Sequence, residues 1–346
     1  MLILMITGSY PPDVCGVGDY THRLMNTATA KDWELYRSAD WSLISFFHHL
    51  RAIKKINPDA IFMQYPTQGY GWSLIPHLLC FSFSLFTKII FVVVFHELSQ
   101  QTKKSRLASN LMLLTGNAFI FTAAGEREYA ARRYSRIKKR STVIKLLSNI
   151  EQAPALRPIH ERGREIVHFG LIRPEKGIET FIEVVAEIKK IRPGTKAALI
   201  GQVPNGKESY FERIRGECEA NGILIYRDPE QTEVADLLND SRIAFLPFPD
   251  GASERRGTLL AAIKNGAIVV TTTGASTTNA LETATVITET LNAPAVILGL
   301  LGEPVDKMQG RQQTGIEFLK NEWPASWDEI ARKYIESLQI EKKEKS

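Results

Sequence analysis

Cysteine is scarce: Cys15, Cys80 and Cys218 are the three in 346 residues, widely spaced and with no Cys-x-x-Cys pair. That excludes a disulfide frame and a thiolate zinc site, and points to a reducing, cytoplasmic setting. No Asp-x-Asp and no His/Cys cluster marks a metal site. The opening MLILMITGSYPP lacks the basic flank and apolar length of a signal peptide, and reads as a first buried strand. Low-complexity tracts and short repeats are missing too. The formal net charge of +5 comes with no nucleic-acid-binding motif, so the basicity suits an anionic ligand or membrane surface. One long apolar run, residues 72–95, is broken by Pro76, His77 and Lys88. We read it as a buried helix, a turn at Thr87–Lys88 and a central parallel strand, IIFVVVF, rather than a membrane span.

What remains is an alternation of strand and helix signals, enough for two domains of about 150 residues each. LILMITG, AIFMQYP, IIFVVVF, AFIFTAA and TVIKLL read as strands of the first domain. In SLISFFHHLRAIKKI, the residues Leu43, Ile44, Phe47, Leu50 and Ile53 recur at a helical period. EREYAARRYSRIKKR reads as one basic helix. The polar, Pro-rich stretch SNIEQAPALRPIHERGR has no clear period and carries the linker. A second βα series follows, from EIVHFG to AIVVTT. The expected division is 1–150, a linker at 151–164, 165–324, and a closing helix with a charged tail at 325–346 that packs back toward the first domain. Two successive βα series indicate an α/β protein of two Rossmann-like, doubly wound domains.

In open α/β sheets ligands bind beyond the carboxyl ends of the strands, so the loops there are where chemistry belongs. After the first strand, PPDVCGVGDY places Gly16, Val17 and Gly18 at a helix start, where backbone amides can approach a phosphate. Thr21 stands where a dinucleotide fingerprint has its third Gly, so a plain strand-to-helix turn is the alternative. After EIVHFG, the loop LIRPEKG carries Arg173 and Lys176, able to neutralise a departing diphosphate or simply to sit solvated. PFPDGASERRGTLLAAIKNGAIVVTT offers Ser253, Glu254, Arg255, Arg256 and the amides near Gly257 and Thr258 to phosphates or sugar hydroxyls. The alternative there is an ordinary capped helix with exposed arginines. His96, at the end of IIFVVVF, is placed to touch a sugar or assist proton transfer, or to serve only structure.

In this order, SYPPDVCGVGDYTHRL, PDAIFMQYP, VVVFHE, HFGLIRPEKGIETFIEVV, IAFLPFPDGASERRGTLLAAIKNGAIVVTT and SWDEIARKY resemble glycosyltransferase family 4 over nearly the whole chain. The resemblance implies the GT-B fold, with two domains facing across a cleft, and retaining, metal-independent transfer from a nucleotide sugar, with no cofactor. It implies that the Gly16–Gly18 loop, Lys176 with a nearby Arg, and the Gly257–Thr258 amides hold the donor diphosphate. His96 matches the family histidine at the donor sugar. Two departures stand out. The family's Gly-Arg-Leu is Gly170-Leu171-Ile172, so Arg173 serves from two positions later. Of two family glutamates eight positions apart, the first falls on Ser253, beside Glu254, and the second on Ala261, which cannot grip a ribose.

The first domain is the acceptor side by the same resemblance, with Tyr10, Gln64 and Tyr65 as candidates. Trp41, Phe46, Phe47 and Trp72 accompany a basic segment, in which Arg132, Arg133, Arg136, Lys138, Lys139 and Arg140 suit anionic lipid headgroups or plain solvent. The expected activity is transfer to a glycan or polyprenyl-linked acceptor in cell-surface polysaccharide or glycolipid synthesis, on the inner face of a membrane. Two alternatives stay open: a sugar-nucleotide epimerase or hydrolase using Glu97 and Glu254, and a non-catalytic binding protein with a degenerate donor site.

Overall fold

A computed structural model describes residues 1–13 and 15–339. The chain divides into two units, one of residues 1–146 joined by the segment from Pro324 onward, the other Leu147–Trp323. The first contains β1 (Ile3–Ile6), α1 (Gly16–Met25), β2 (Glu34–Tyr36), α2 (Phe46–Ile56), β3 (Ala60–Tyr65), α3 (Ile75–Phe86), β4 (Ile90–Phe95), α4 (Lys103–Thr115), β5 (Ala118–Phe121), α5 (Ala124–Arg133) and β6 (Ser141–Val143). The second contains β7 (Arg164–Phe169), α6 (Ile178–Ile191), β8 (Ala197–Gly201), α7 (Glu208–Ala220), β9 (Leu224–Arg227), α8 (Gln231–Asn239), β10 (Ser241–Leu246), α9 (Gly257–Lys264), β11 (Ile268–Thr271), α10 (Asn279–Ala284), β12 (Val286–Ile287), α11 (Ala293–Leu301) and α12 (Val305–Glu322). A last helix, α13 (Trp327–Ser337), belongs to the first unit.

Each unit is built on a six-stranded parallel sheet, ordered β2-β1-β3-β4-β5-β6 and β12-β11-β10-β7-β8-β9. A parallel strand covered by helices on both faces must be apolar at successive positions, and β3 (AIFMQY) is buried throughout. In both sheets the chain first winds one way from the opening strand and then crosses to its other side. The reversal falls between β1 and β3 in the first unit and between β7 and β10 in the second.

The apolar run at 72–95 is α3 followed by β4, with Thr87 Oγ1 donating to the Phe83 carbonyl at the helix end, 2.7 Å away. Among the described residues no helix is long and apolar enough to cross a membrane. On one face of the first sheet, α2, α3 and α4 bury Ile53, Ile75, Leu79, Phe83, Met112 and Leu113 against strand residues such as Ile61, Phe91 and Val93. On the other, α1 and α13 meet: Tyr20 and Tyr334 hydroxyls lie 3.0 Å apart, and Phe62 packs on Tyr334.

Three sequence expectations change. The helix at 43–56 does not bury its whole apolar stripe. A 3-10 turn at Leu43–Ser45 precedes α2, Ile53 is fully buried, and Leu43, Ile44 and Phe47 are exposed. The basic segment is not one helix. α5 ends at Arg133, Tyr134 adopts an extended conformation, and a 3-10 turn follows at Ser135–Lys138. Residues 151–164 are not a free linker but part of the second unit. Asn265 Oδ1 accepts from the Ala153 amide at 2.8 Å, Asn239 Oδ1 accepts from the Arg157 amide at 2.9 Å, and buried Arg162 donates to the carbonyls of Ser241 (2.9 Å) and Asn265 (3.1 Å). A polar, aperiodic stretch can therefore be ordered through backbone and guanidinium bonds that leave no hydrophobic period. The last stretch of the charged tail, residues 340–346, lies outside the described residues.

Candidate functional site

The second unit brings its two candidate loops together at the reversal point of its sheet. Residues 170–177 leave β7 and residues 247–256 leave β10, adjacent parallel strands. The junction is close-packed. A Cβ on Gly177 would stand 2.1 Å from the Pro247 carbonyl oxygen, and φ of 77° already disfavours any other residue. A Cβ on Gly170 would touch Thr258 Cγ2 at 3.8 Å. The Arg173–Lys176 turn is thus pinned between β10's exit and the first turn of α9. Both cations are half-exposed.

Below this junction lies a residue the sequence reading passed over. His168 on β7 is buried, and its Nδ1 donates to the Phe245 carbonyl of β10 at 3.1 Å. Burial lowers its pKa to about 4, so the ring is neutral and Nε2 keeps its lone pair. The signal was present in HFG, but a histidine inside an apolar strand reads as core.

At the start of α9 no side chain caps the helix, so its leading amides are not spent on a capping bond. Gly257 and Thr258 are half-exposed, as are Glu254 and Arg255. Ser253 is buried instead, only 7% exposed, which limits it as a donor contact. Arg256 is held by an ion pair with Asp250 and lies 4.5 Å over the Phe248 ring. Its guanidinium is therefore committed to its own loop. Glu254 Oε1 accepts from Thr278 Oγ1 at 3.4 Å. Ala261 is fully buried in the core beneath α9, so nothing at that position reaches a ligand.

In the first unit, Gly16 opens α1 with no side-chain cap, and a Cβ on it would meet nothing within 4 Å. Gly18 is more demanding, because a Cβ there would lie 3.2 Å from the Ser9 carbonyl. Val17 is half-exposed between them. Tyr10, also half-buried, places its hydroxyl 3.0 Å from His22 Nδ1. At the β1–β3 reversal, the 66–70 turn closes on the first loop. A Cβ on Gly69 would overlap the Gly8 carbonyl, and Ser9 Oγ accepts from the Gly69 amide at 2.7 Å.

His96, Gln64 and Tyr65 are more deeply set than expected. His96 Nε2 donates to Gln64 Oε1 at 2.6 Å, and burial depresses its pKa to about 3. Gln64, with no exposure, turns its amide toward Met5 Sδ (3.0 Å) and Tyr334. Tyr65 lies in the core with its hydroxyl 3.1 Å from His77 Nε2. The reason is geometric: β3 and β4 are central strands, and helices cover both faces of their sheet. Gln64 and Tyr65, expected as acceptor contacts, and His96, expected at the donor sugar, are thus buried side chains at the ends of β3 and β4. The loop after β4 is fixed by another group missed in the sequence, Glu126. Its carboxylate accepts from the Leu98 and Ser99 amides, both at 2.8 Å, and from Ser99 Oγ at 2.7 Å. One of two acids in a basic segment, it gave no sign of this.

The basic segment is partly occupied as well. Arg136 donates to the Leu113 carbonyl at 2.8 Å and Lys138 pairs with Glu128 at 3.0 Å, while Arg132, Arg133 and Lys139 are exposed and Arg140 is half-exposed.

No protein-family profile and no curated protein sequence matches this chain. Solved structures do. It is similar to Anabaena Alr3699/HepE, solved in complex with UDP and glucose, at 15% identity and a TM-score of 0.71 over 98% of this chain and 99% of that one. The sucrose-phosphate synthase tll1590 from Thermosynechococcus elongatus matches at 15% identity and 0.73, over 98% of each chain. An E. coli structure described as trehalose-6-phosphate bound with UDP-2-fluoro glucose matches at 10% identity and 0.66, over 99% of each. These likenesses span both units, and the fold is that of the GT-B glycosyltransferases.

Proposed function

We propose that this chain is a nucleotide-sugar-dependent glycosyltransferase whose second unit holds the donor. The observation that carries the reading is the convergence of two loops at the β7–β10 reversal, with Arg173 and Lys176 beside the uncapped start of α9. Cations and helix amides there stabilise the negative charge that grows on a departing diphosphate. The same-fold structures solved with UDP, or with UDP-glucose, add support for a uridine nucleotide as first candidate. His96 stays neutral, and so is suited to hydrogen bonding rather than to carrying charge.

The finer reading follows from the family 4 resemblance. It is retaining transfer without a metal, to a glycan or lipid-linked acceptor bound by the first unit, in cytoplasmic synthesis of a surface polysaccharide or glycolipid. Arg173, Lys176, Glu254 and the Gly257–Thr258 amides are the donor-side groups; Gly16, Val17 and Tyr10 are the candidate groups of the first unit that reach solvent, with Gly18 buried beside them. A donor-hydrolysis screen across common nucleotide sugars, with Lys176→Ala as control, tests it. Turnover of one donor by the native chain and its loss in the variant are expected. Full activity in Lys176→Ala would remove the assigned roles.

A second reading has one specific observation behind it. Ala261 is buried where the family carries a ribose-gripping glutamate, so a non-catalytic nucleotide or glycan binder on the same fold is the competing assignment. Binding of nucleotide without turnover of any donor would select it.

A further inference from the structure

The helical layer formed by α2, α3 and α4 leaves a group of large apolar side chains in solvent. Ile44 is 94% exposed, Trp72 79% and Phe47 66%, with Leu43 and Leu74 beside them. Three of the five are neighbours in space as well as in type. Leu43, Trp72 and Leu74 line a shallow groove of about 540 Å³ that also reaches Trp41 and Tyr70, and no charged residue borders it. Ile44 and Phe47 follow Leu43 through the 3-10 turn into α2. Single exposed apolar residues are ordinary, but this many around one groove are not.

The charge around the patch selects its occupant. From Asp40 to Gly125 the sequence has seven Lys or Arg and three acids, Asp40, Asp59 and Glu97. None of them lies on α2, α3 or α4; exposed Asp40 precedes the 3-10 turn, where its carboxylate accepts from the Ser42 amide at 2.8 Å. Asp59 precedes β3, where it receives the Leu2 amide at 2.6 Å, and Glu97 follows β4. Along α2, exposed Phe47 gives way to exposed Arg51, Lys54 and Lys55. An apolar wedge followed by cations, with no acid on its helices, complements an anionic lipid surface. A partner protein with an ordinary mixed-charge face would leave these cations without counterparts.

We infer that the first unit docks on anionic membranes through this patch, inserting Ile44, Phe47 and Trp72 while Arg51, Lys54 and Lys55 meet lipid phosphates. The contact lies on α2 and the loop before α3, rather than on the 132–140 segment, where Arg136 and Lys138 already have protein partners. The inference does not depend on the donor chemistry proposed above.

The test is sedimentation of the full chain with vesicles of phosphatidylcholine, alone or mixed with phosphatidylglycerol. Native protein is expected to pellet with the mixed vesicles, to stay in solution with phosphatidylcholine, and to be released at high salt. Phe47→Ser/Trp72→Ser should weaken binding by about tenfold or more, and Lys54→Glu/Lys55→Glu should abolish it. All four side chains are exposed, so the unfolding midpoints should match the native one. Absence of native binding to the mixed vesicles overturns the inference. So does unchanged binding in the serine variant, or its loss only in Arg132→Glu/Arg133→Glu. A native dimer in velocity sedimentation, made monomeric by the serine pair and indifferent to vesicles, would assign the patch to a second copy instead. Nucleotide protection of the same samples is read separately. If it is absent while vesicle binding persists, the donor reading fails and the membrane inference stands.

Discussion

The hydroxyls of Tyr20 on α1 and Tyr334 on α13 stand 3.0 Å apart inside the first unit, although 314 positions separate them in sequence. Gln64 reaches Tyr334 from below at 3.4 Å and accepts from His96. The ring that the family resemblance assigns to the donor sugar is thereby tied to the last helix. Tyr334→Phe should leave a buried hydroxyl and amide short of a partner and cost about 1–3 kcal/mol. Tyr334→Ala should cost about 3–5 kcal/mol by the added cavity, since the side chain is wholly buried. Urea denaturation measures both.

At Gly177 a methyl group meets two obstacles, a left-handed backbone and the Pro247 carbonyl. Gly177→Ala is expected to lose at least about 1–3 kcal/mol and to displace the Arg173–Lys176 turn. Nucleotide protection against thermal unfolding should drop in this variant. Gly125→Ala, on α5 where a Cβ meets nothing within 4 Å, is the control: it should leave nucleotide protection unchanged and, if anything, raise stability by up to about 1 kcal/mol.

Lys176→Ala is expected to lower donor turnover by about a hundredfold or more while leaving the unfolding midpoint in place. Arg173→Ala should act in the same direction, and Arg173→Lys should recover part of it if charge rather than forked geometry matters. Arg256→Ala should instead affect stability of the 247–256 loop, because that guanidinium is engaged with Asp250 and Phe248. Rates on the preferred donor, set beside melting curves, separate the two classes.

Burial lowers the pKa of His96 to about 3, and of His77 and His168 to about 4, from 6.5. Below pH 6.5 the unfolded chain takes up protons that the folded chain refuses, so stability rises with pH in that range. It is fully present above the unfolded value and is lost as pH falls toward 4 and 3. Each of the two fully buried rings, His96 and His168, should contribute a loss of about 2 kcal/mol between pH 7 and pH 5. Urea midpoints at the two pH values check this, and His168→Asn should flatten the dependence.

The sheets, their parallel sense and the order of elements were legible because buried parallel strands leave continuous apolar runs such as IFVVVF. Loop candidates were legible for the same reason: glycine and cations after a strand stand out against an apolar background. What escaped notice carries no period. Arg162 orders a Pro-rich stretch through carbonyls far away in sequence. Glu126 clasps a loop from within a basic segment. Leu43, Ile44 and Phe47 kept the helical spacing of a core face yet point outward, since spacing reports a common side of a helix and not what that side touches.

The placement of α13 sets an order of events during synthesis. Trp33, Phe62 and Tyr20 in the first unit find their aromatic cover in Tyr334 and Trp327. The ribosome makes the whole of the second unit before those residues emerge. The amino-terminal half therefore waits, unfinished, with an apolar seam that nascent-chain binders can occupy until α13 has been made.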